Sequence, residues 1–358
     1  MRVSLITAVL LYLGVSLGLG QTRDEFGKQC ITDDPAENIK VCSALITSGQ
    51  LSNKALPVAY LDRGSAYALQ GKFDNALQDY DAALRLNSKY ANAFYGRGWV
   101  YEKKADYDHA IQDFSQALRL NPHLSDALRE RAIAYTHKDD YLRAIQDYDE
   151  ALRLNPNDAI AIYDRGLAFA HTGDYERAIQ EYSQVLKLNP SFTAEALHSR
   201  GLAYAHQKEY NHAIQDFDQA LRLKPDSAEA FYNRALAYEH KGDYERAVQD
   251  FSQALRLKPS DSDAFNGRGF AYAKEGDYNR AIKDYDEALR INPRYARALA
   301  NRSLAYAHDG NYLAAVADRS RFLWLRFGIA GRTILCILAI LIAGIVLFAV
   351  KRSRSNSR

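Results

Sequence analysis

Acidic residues are missing from both ends of this chain, and cysteine is scarce throughout it. Before Gln21 the only charge is Arg2, and from Arg319 to Arg358 there are eight Lys or Arg and no Asp or Glu. Taking those nine positive charges from the formal +2 leaves the body, Gln21 to Asp318, at −7. A body of that sign argues against nucleic acid as a partner, because such binding rests on Lys and Arg neutralising phosphates. Also absent are a GxSxG elbow, a phosphate-binding P-loop and an HExxH pair. The chain therefore reads as a non-enzyme with no cofactor and no small-molecule substrate. Only Cys30 and Cys42 lie outside the C-terminal apolar stretch, and no His or further Cys is near them in sequence, which weakens a metal site. No stretch of the body shows the period-2 alternation of a strand.

What the body has is a repeat. ANAFYGRGWVYEKKADYDHAIQDFSQALRLNPHL, Ala91 to Leu124, recurs end to end with a period of 34, marked by Arg63, Arg97, Arg131, Arg165, Arg200, Arg234, Arg268 and Arg302. One residue is inserted near Ser191–Thr193. A fixed period of this size means stacked supersecondary units. Each unit reads as two helices, A and B. Phe94, Gly98 and Tyr101 share one face at i, i+4, i+7, and Ala110, Phe114, Ala117 and Leu118 repeat the pattern after a break. At Gly173-Asp174 and Gly242-Asp243 the break carries a residue free to turn left-handed and an Asp able to cap helix B. Asn121-Pro122, Asn155-Pro156 and Asn189-Pro190 end helix B, since proline cannot continue the ladder.

The unit resembles the tetratricopeptide repeat, from about Pro57 to Phe327. Small residues stand at Gly98, Ala132, Gly166, Gly201, Ala235, Gly269 and Ser303, and aromatics follow three residues on at Tyr67 to Tyr306. The helix B alanine of the family falls at Ala76, Ala110, Ala144, Ala178, Ala213, Ala247, Ala281 and Ala315. The resemblance implies an all-α solenoid of eight helix-turn-helix repeats, with Gln21 to Leu56 as an N-terminal half-repeat cap. It implies a scaffold that binds protein or peptide, without saying which.

Two features depart from a plain scaffold. The Arg of each unit lies on the core stripe of helix A, where the family commonly has an apolar residue. Helix B carries Asp79, Asp113, Asp147, Glu181, Asp216, Asp250, Asp284 or Asp318 at one fixed place, so an Arg–carboxylate ladder along the stack is expected, two solvated charges being the alternative. His137, His171, His206, His240 and His308 recur at the thirteenth place. Packed helices stand too far apart for one His per repeat to share an ion, so copied sequence, or a pH-sensitive row, are the readings left.

The ends bear on location. Residues 1–20 read as a secretory signal peptide, with an uncleaved anchor as the alternative. Export would make Cys30 and Cys42 a disulfide, with two packed thiols as the other reading. Thr333 to Val350 is 18 uncharged, mostly apolar residues, read as a transmembrane helix, preceded by an interface belt of Trp324, Phe327 and Arg and followed by a basic tail, 351–358. The expectation is a bacterial inner-membrane protein with one C-terminal span and its repeats in the periplasm, in a cell-envelope assembly. A cytosol-facing, tail-anchored receptor or co-chaperone is the alternative. The family's carboxylate-binding version places Lys and Asn where this chain has Leu61, Ser65, Tyr95 and Trp99, which speaks against it. The partner groove is expected on the face of helix A opposite its core stripe: Asn92, Tyr95, Trp99, Glu102 and Lys103, the His row at His137, His171, His206 and His240, and Tyr163, Tyr232 and Phe270.

Overall fold

The computed structural model describes residues 34–188 and 193–327. Among them are seventeen α-helices and no strand. They fall into two units divided at Pro190–Ser191, beside the inserted residue. The first holds α1 (Pro35–Ser48), α2 (Ala55–Leu69), α3 (Phe73–Leu86), α4 (Ala91–Lys103), α5 (Tyr107–Leu120), α6 (Ser125–His137), α7 (Tyr141–Leu154), α8 (Ala159–His171) and α9 (Tyr175–Leu188). The second holds α10 (Thr193–His206), α11 (Tyr210–Leu223), α12 (Ala228–His240), α13 (Tyr244–Leu257), α14 (Ser262–Lys274), α15 (Tyr278–Ile291), α16 (Ala296–His308) and α17 (Tyr312–Phe327). From α2 onward, even-numbered helices are A and odd-numbered ones B.

Within each unit a helix packs on its chain neighbours, and each helix A also touches helix A of the next repeat. The interior of a hairpin is built from small residues facing one large ring. Ala110, Phe114 and Ala117 of α5 are fully buried, and the ring of Phe114 lies on Gly98 of α4, where an added Cβ would stand 3.0 Å from it. That approach is why the place tolerates nothing larger than alanine or serine. The outer end of the stack is covered by α1, whose Cys42 is fully buried and packs with Ala59 of α2.

The A–B turn shows how local sequence fixes the hairpin. The residue two places past helix A is left-handed in all eight repeats: Gly71, Gly173, Gly242, Gly276 and Gly310, but also Ala105, Asp139 and Lys208. The next amide then reaches back five residues to a helix A carbonyl, as Asp106 N–H does to Tyr101 O at 2.8 Å. The following Asp turns its carboxylate to the first turn of helix B: Asp140 accepts from Arg143 N–H, and Asp243 from Arg246 N–H. Both caps anticipated from Gly-Asp are thus formed.

Outside the described residues fall the signal segment 1–20, the start of the cap from Gln21, Cys30 as the mate of Cys42, the span 333–350 and the basic tail 351–358. Among the described residues no helix is long and apolar enough to cross a membrane.

Candidate functional site

The arginine ladder is present in all eight repeats. Each Arg meets the carboxylate sixteen residues on, from Arg63–Asp79 to Arg302–Asp318. In seven the contact is bidentate; Arg97 gives Nε to Asp113 Oδ2 at 2.7 Å and Nη2 to Oδ1 at 2.8 Å. Two parallel charge-assisted bonds suit the planar guanidinium and leave the buried carboxylate satisfied. The fourth repeat differs because it carries Glu. Glu181 takes Arg165 Nη2 through Oε1 alone, and Arg165 Nε and Glu181 Oε2 are left without a partner. Burial raises the carboxyls of Asp113, Glu181 and Asp250 above the ordinary range, against the pull of their arginines.

Nη1 makes a further contact that the repeat pattern did not announce. It reaches sixteen residues back, to helix B of the preceding repeat: Arg97 to Asp81 at 2.6 Å, Arg165 to Asp149 at 2.7 Å, Arg234 to Asp218 at 2.6 Å, and Arg302 to Asp286. In the alternate repeats the acceptor is a hydroxyl, Ser115 for Arg131 and Ser252 for Arg268. Each of these six arginines so joins three helices, and within each unit the acceptor alternates between Asp and Ser.

The outward face of helix A carries the rest of the chemistry. Of the residues expected on it, Asn92 and Lys103 are exposed, while Trp99, Tyr163, Tyr232 and Phe270 are half-buried. Lys103 Nζ lies 5.2 Å over the Trp99 ring and 2.9 Å from Glu102, and Lys274 stands likewise over Phe270. Tyr95 and Glu102 are buried instead; Tyr95 packs on Phe114 at 5.9 Å between centroids. Both lie inside because helix A is contacted by its own helix B and by the preceding repeat, which widens its core stripe.

The histidines occupy another place. All five end helix A exposed at the rim, and four stack on the first residue of the preceding helix B: His137 on Tyr107, His171 on Tyr141, His240 on Tyr210 and His308 on Tyr278, at 4.6–4.9 Å and within 9° of parallel. Among the described residues no cluster of His, Cys, Asp or Glu is arranged to hold a metal ion.

Sequence reasoning missed one cluster on the helix A face of the first unit. Arg129 and Glu130 are buried, and Arg129 is shared by Asp158 at 2.8 Å, Glu130 at 3.2 Å and Asp126 at 3.2 Å. Asp164 sits beside them, its carboxyl pushed up to about 7 by burial, with Arg129 opposing the shift and Glu130 and Asp158 adding to it. In the second unit burial pushes Glu239 up to about 7 against Arg297 and Lys274, and lowers His198, whose ring lies 3.0 Å from the Asn233 amide. Arg129 stood at the fifth place of helix A, where the neighbouring repeats carry Tyr95 and Tyr163, and Glu130 and Asp164 stood at the sixth, where other repeats carry Gly96, Ser199 or Asn233, so the signal was a local excess of charge.

Protein-family models described as "Tetratricopeptide repeat" match residues 133–200 and 201–265, and 91–124 and 262–295; one described as "TPR repeat" matches 64–105. Among solved structures, the C-terminal part of a TPR repeat-containing protein from Cytophaga hutchinsonii is 19% identical, with 66% of this chain and 98% of that chain covered at a TM-score of 0.56. A tetratricopeptide repeat protein from Parabacteroides merdae is 19% identical, covering 70% and 98%, at 0.52. YrrB, titled a TPR protein with an unusual peptide-binding site, is 22% identical over 53% and 97%, at 0.47. No curated protein sequence matches the chain.

Proposed function

The chain belongs to the tetratricopeptide repeat family, and on that premise we propose that it is a membrane-anchored scaffold whose helix A face binds a protein or peptide partner. The observation that carries this reading is a contrast along the chain. Places that build the stack recur almost unchanged: the arginine, its carboxylate, the helix B alanine. Places of helix A away from its core stripe do not; the second, exposed or half-buried in each of them, reads Asn92, Asp126, Ile160, Glu195, Glu229, Asp263 and Arg297 in successive repeats. Stacking does not need that variety, whereas an extended partner read one repeat at a time would. Half-buried aromatics such as Trp99 and Tyr163 are the usual anchors of such contacts, and the carboxylates around Arg129 disfavour a phosphate backbone.

The anchor is proposed from the uncharged run 333–350, and a cell-envelope setting with the repeats outside from the signal-like start and the Cys30/Cys42 pair. Three measurements bear on the reading. Asn92→Arg with Lys103→Glu changes two exposed side chains of α4; partner capture by crosslinking from native membranes should fall while the melting temperature holds. Unchanged capture would remove this part of α4 from the interface. Protease applied to the outer face of the membrane should digest the repeats and spare the tail; protected repeats would place them in the cytosol, as a tail-anchored receptor. Mass mapping should find Cys30 linked to Cys42, and two free thiols would count against export.

A further inference from the structure

The last helix departs from the seven that hold its place in earlier repeats. In α17, Leu313 is 88% exposed, Tyr312 69%, Val316 54% and Trp324 44%. The place of Leu313 is Asp, Glu or Asn in six of the seven preceding B helices, and the place of Trp324 is Arg or Lys in all seven, from Arg85 to Arg290. The place of Val316 is apolar throughout, but is half-buried or better in every earlier repeat. A terminal repeat ordinarily turns a polar face outward. Here the opposite substitutions have been made on a face that no other repeat among the described residues covers.

The arrangement has a direction. At about 100° per residue, Tyr312, Val316, Leu313, Trp324 and Ala317 fall within an arc of roughly 140°. Arg319 and Arg326 border that arc on one side and Arg321 on the other. The buried side of the helix is fully engaged: Asp318 pairs with Arg302, and Phe322 and Leu325 pack against Leu289 and Leu299. Arg321 also fixes the helix to the fold, giving Nη2 to Pro293 O at 2.9 Å. Apolar residues with a Trp on one arc, and arginines on both of its margins, suit a surface that is hydrocarbon in depth and anionic at its edge.

What meets this face is indicated by the chain itself. Five residues separate Phe327 from Thr333, where the uncharged run begins, and the six steps between them span at most about 20 Å. We propose that α17 is an interfacial helix, lying along the bilayer surface with Leu313, Val316 and Trp324 below the headgroups and Arg319, Arg321 and Arg326 among anionic phosphates. The proposal rests on the reading of 333–350 as a membrane anchor and adds that the final repeat is laid against the membrane.

The test uses the full chain in phosphatidylcholine–phosphatidylglycerol vesicles whose acyl chains are brominated near the headgroup end. A single-tryptophan variant, Trp99→Phe, Trp324→Phe, Leu313→Trp, puts the reporter at the end of α17 distant from the span. Position 313 is so exposed that unchanged helicity and melting are expected. Residue 313 lies about 20 Å along α17 from residue 327, so an α17 standing away from the bilayer would hold the reporter out of reach of bromine. A helix lying in the interface should lose about half its emission or more to the quencher. Unquenched emission with the 328–358 region protected from protease would overturn the proposal while leaving the anchor intact. Quenched emission with that region digested would sink the anchor and keep the interfacial helix. Unquenched emission with disulfide crosslinking of a Leu313→Cys variant to a second copy would assign the face to self-association and also overturn it.

Discussion

Removing Arg97 should cost more than removing its partner, and more than removing both. Asp113 is 4% exposed, and its two oxygens take their charge-assisted bonds from Arg97, at 2.7 and 2.8 Å. Arg97→Met leaves that carboxylate buried without its cation, a loss of about 3–5 kcal/mol for a buried pair broken from one side. Asp113→Leu is milder. Arg97 keeps Asp81 at 2.6 Å, and its side chain is 22% exposed, so the guanidinium can turn towards water at about 1–2 kcal/mol. The double variant strands neither charge and puts apolar volume in place of the pair, so its loss should fall below that of Arg97→Met alone.

Repeat arrays unfold in parts, so the readout must be local. Trp99 supplies it: the ring packs in the same hairpin, and Trp324→Phe silences the only other tryptophan. Urea titration followed by Trp99 emission should show a coupling of about 2 kcal/mol in the cycle. The Arg97→Met loss should also depend on pH. Burial already raises Asp113 above the ordinary carboxyl range, and losing the arginine raises it further. A folded state that holds its proton more tightly than the unfolded chain loses stability as pH climbs from the unfolded to the folded value, so the variant should be worse at pH 8 than at pH 5. Additive losses, or a cost independent of pH, would show that the rung contributes no more than two solvated charges.

Other rungs and turns give further tests. Glu181→Asp should restore the two-bond geometry of the other repeats and stabilise the fourth repeat by about 1 kcal/mol, read by hydrogen exchange in α8 and α9; slower exchange is required. Asp164→Asn should flatten the fall in stability between pH 5 and pH 8 by about 1–3 kcal/mol, because a carboxyl held near 7 in the fold and near 3.8 unfolded is stabilising only while protonated. An unchanged pH profile in urea melts would show that Asp164 titrates normally. Lys208→Gly relieves a left-handed lysine and should raise stability by about 0.5–1 kcal/mol in the same assay; a loss would mean that the lysine stem packs usefully at the turn.

Much of this fold was legible because one pattern is printed eight times. The period fixes the hairpins, and the Arg and its carboxylate sixteen residues on meet as the pattern required. The second acceptor is just as regular, Asp81, Ser115, Asp149, Asp218, Ser252 and Asp286, yet its role depends on how one hairpin leans on the next. That lean is a packing angle, which period alone does not state. The same gap explains Tyr95 and Glu102. A helical wheel divides helix A into an inner and an outer half, whereas a helix gripped from two sides buries more than half of its surface. The histidines were assigned by counting places, and the tyrosines that hold them lie thirty residues earlier, in another hairpin.

The ladder also accounts for how a face of such varied chemistry can be carried by so regular a stack. Apolar contact alone would tie neighbouring repeats through whatever helix A presents, and every outward substitution would then disturb the stack. Here the repeats are also riveted from within, by an arginine that grips its own helix B and the one before. Where the outer acceptor is Asp the rivet is ionic; where it is Ser it is a single hydroxyl bond, so the tie alternates in strength along each unit. Asp81 is 44% exposed, so solvent trims that difference to a few tenths of a kcal/mol or about one at most. What remains constant is the geometry: sixteen residues forward, sixteen back. With register fixed on the inner side, the second place of helix A can change from Asn92 to Ile160 to Arg297, and the fifth from Tyr95 to Arg129 to His198, without altering the stack, and that freedom is what a surface for recognising a partner requires.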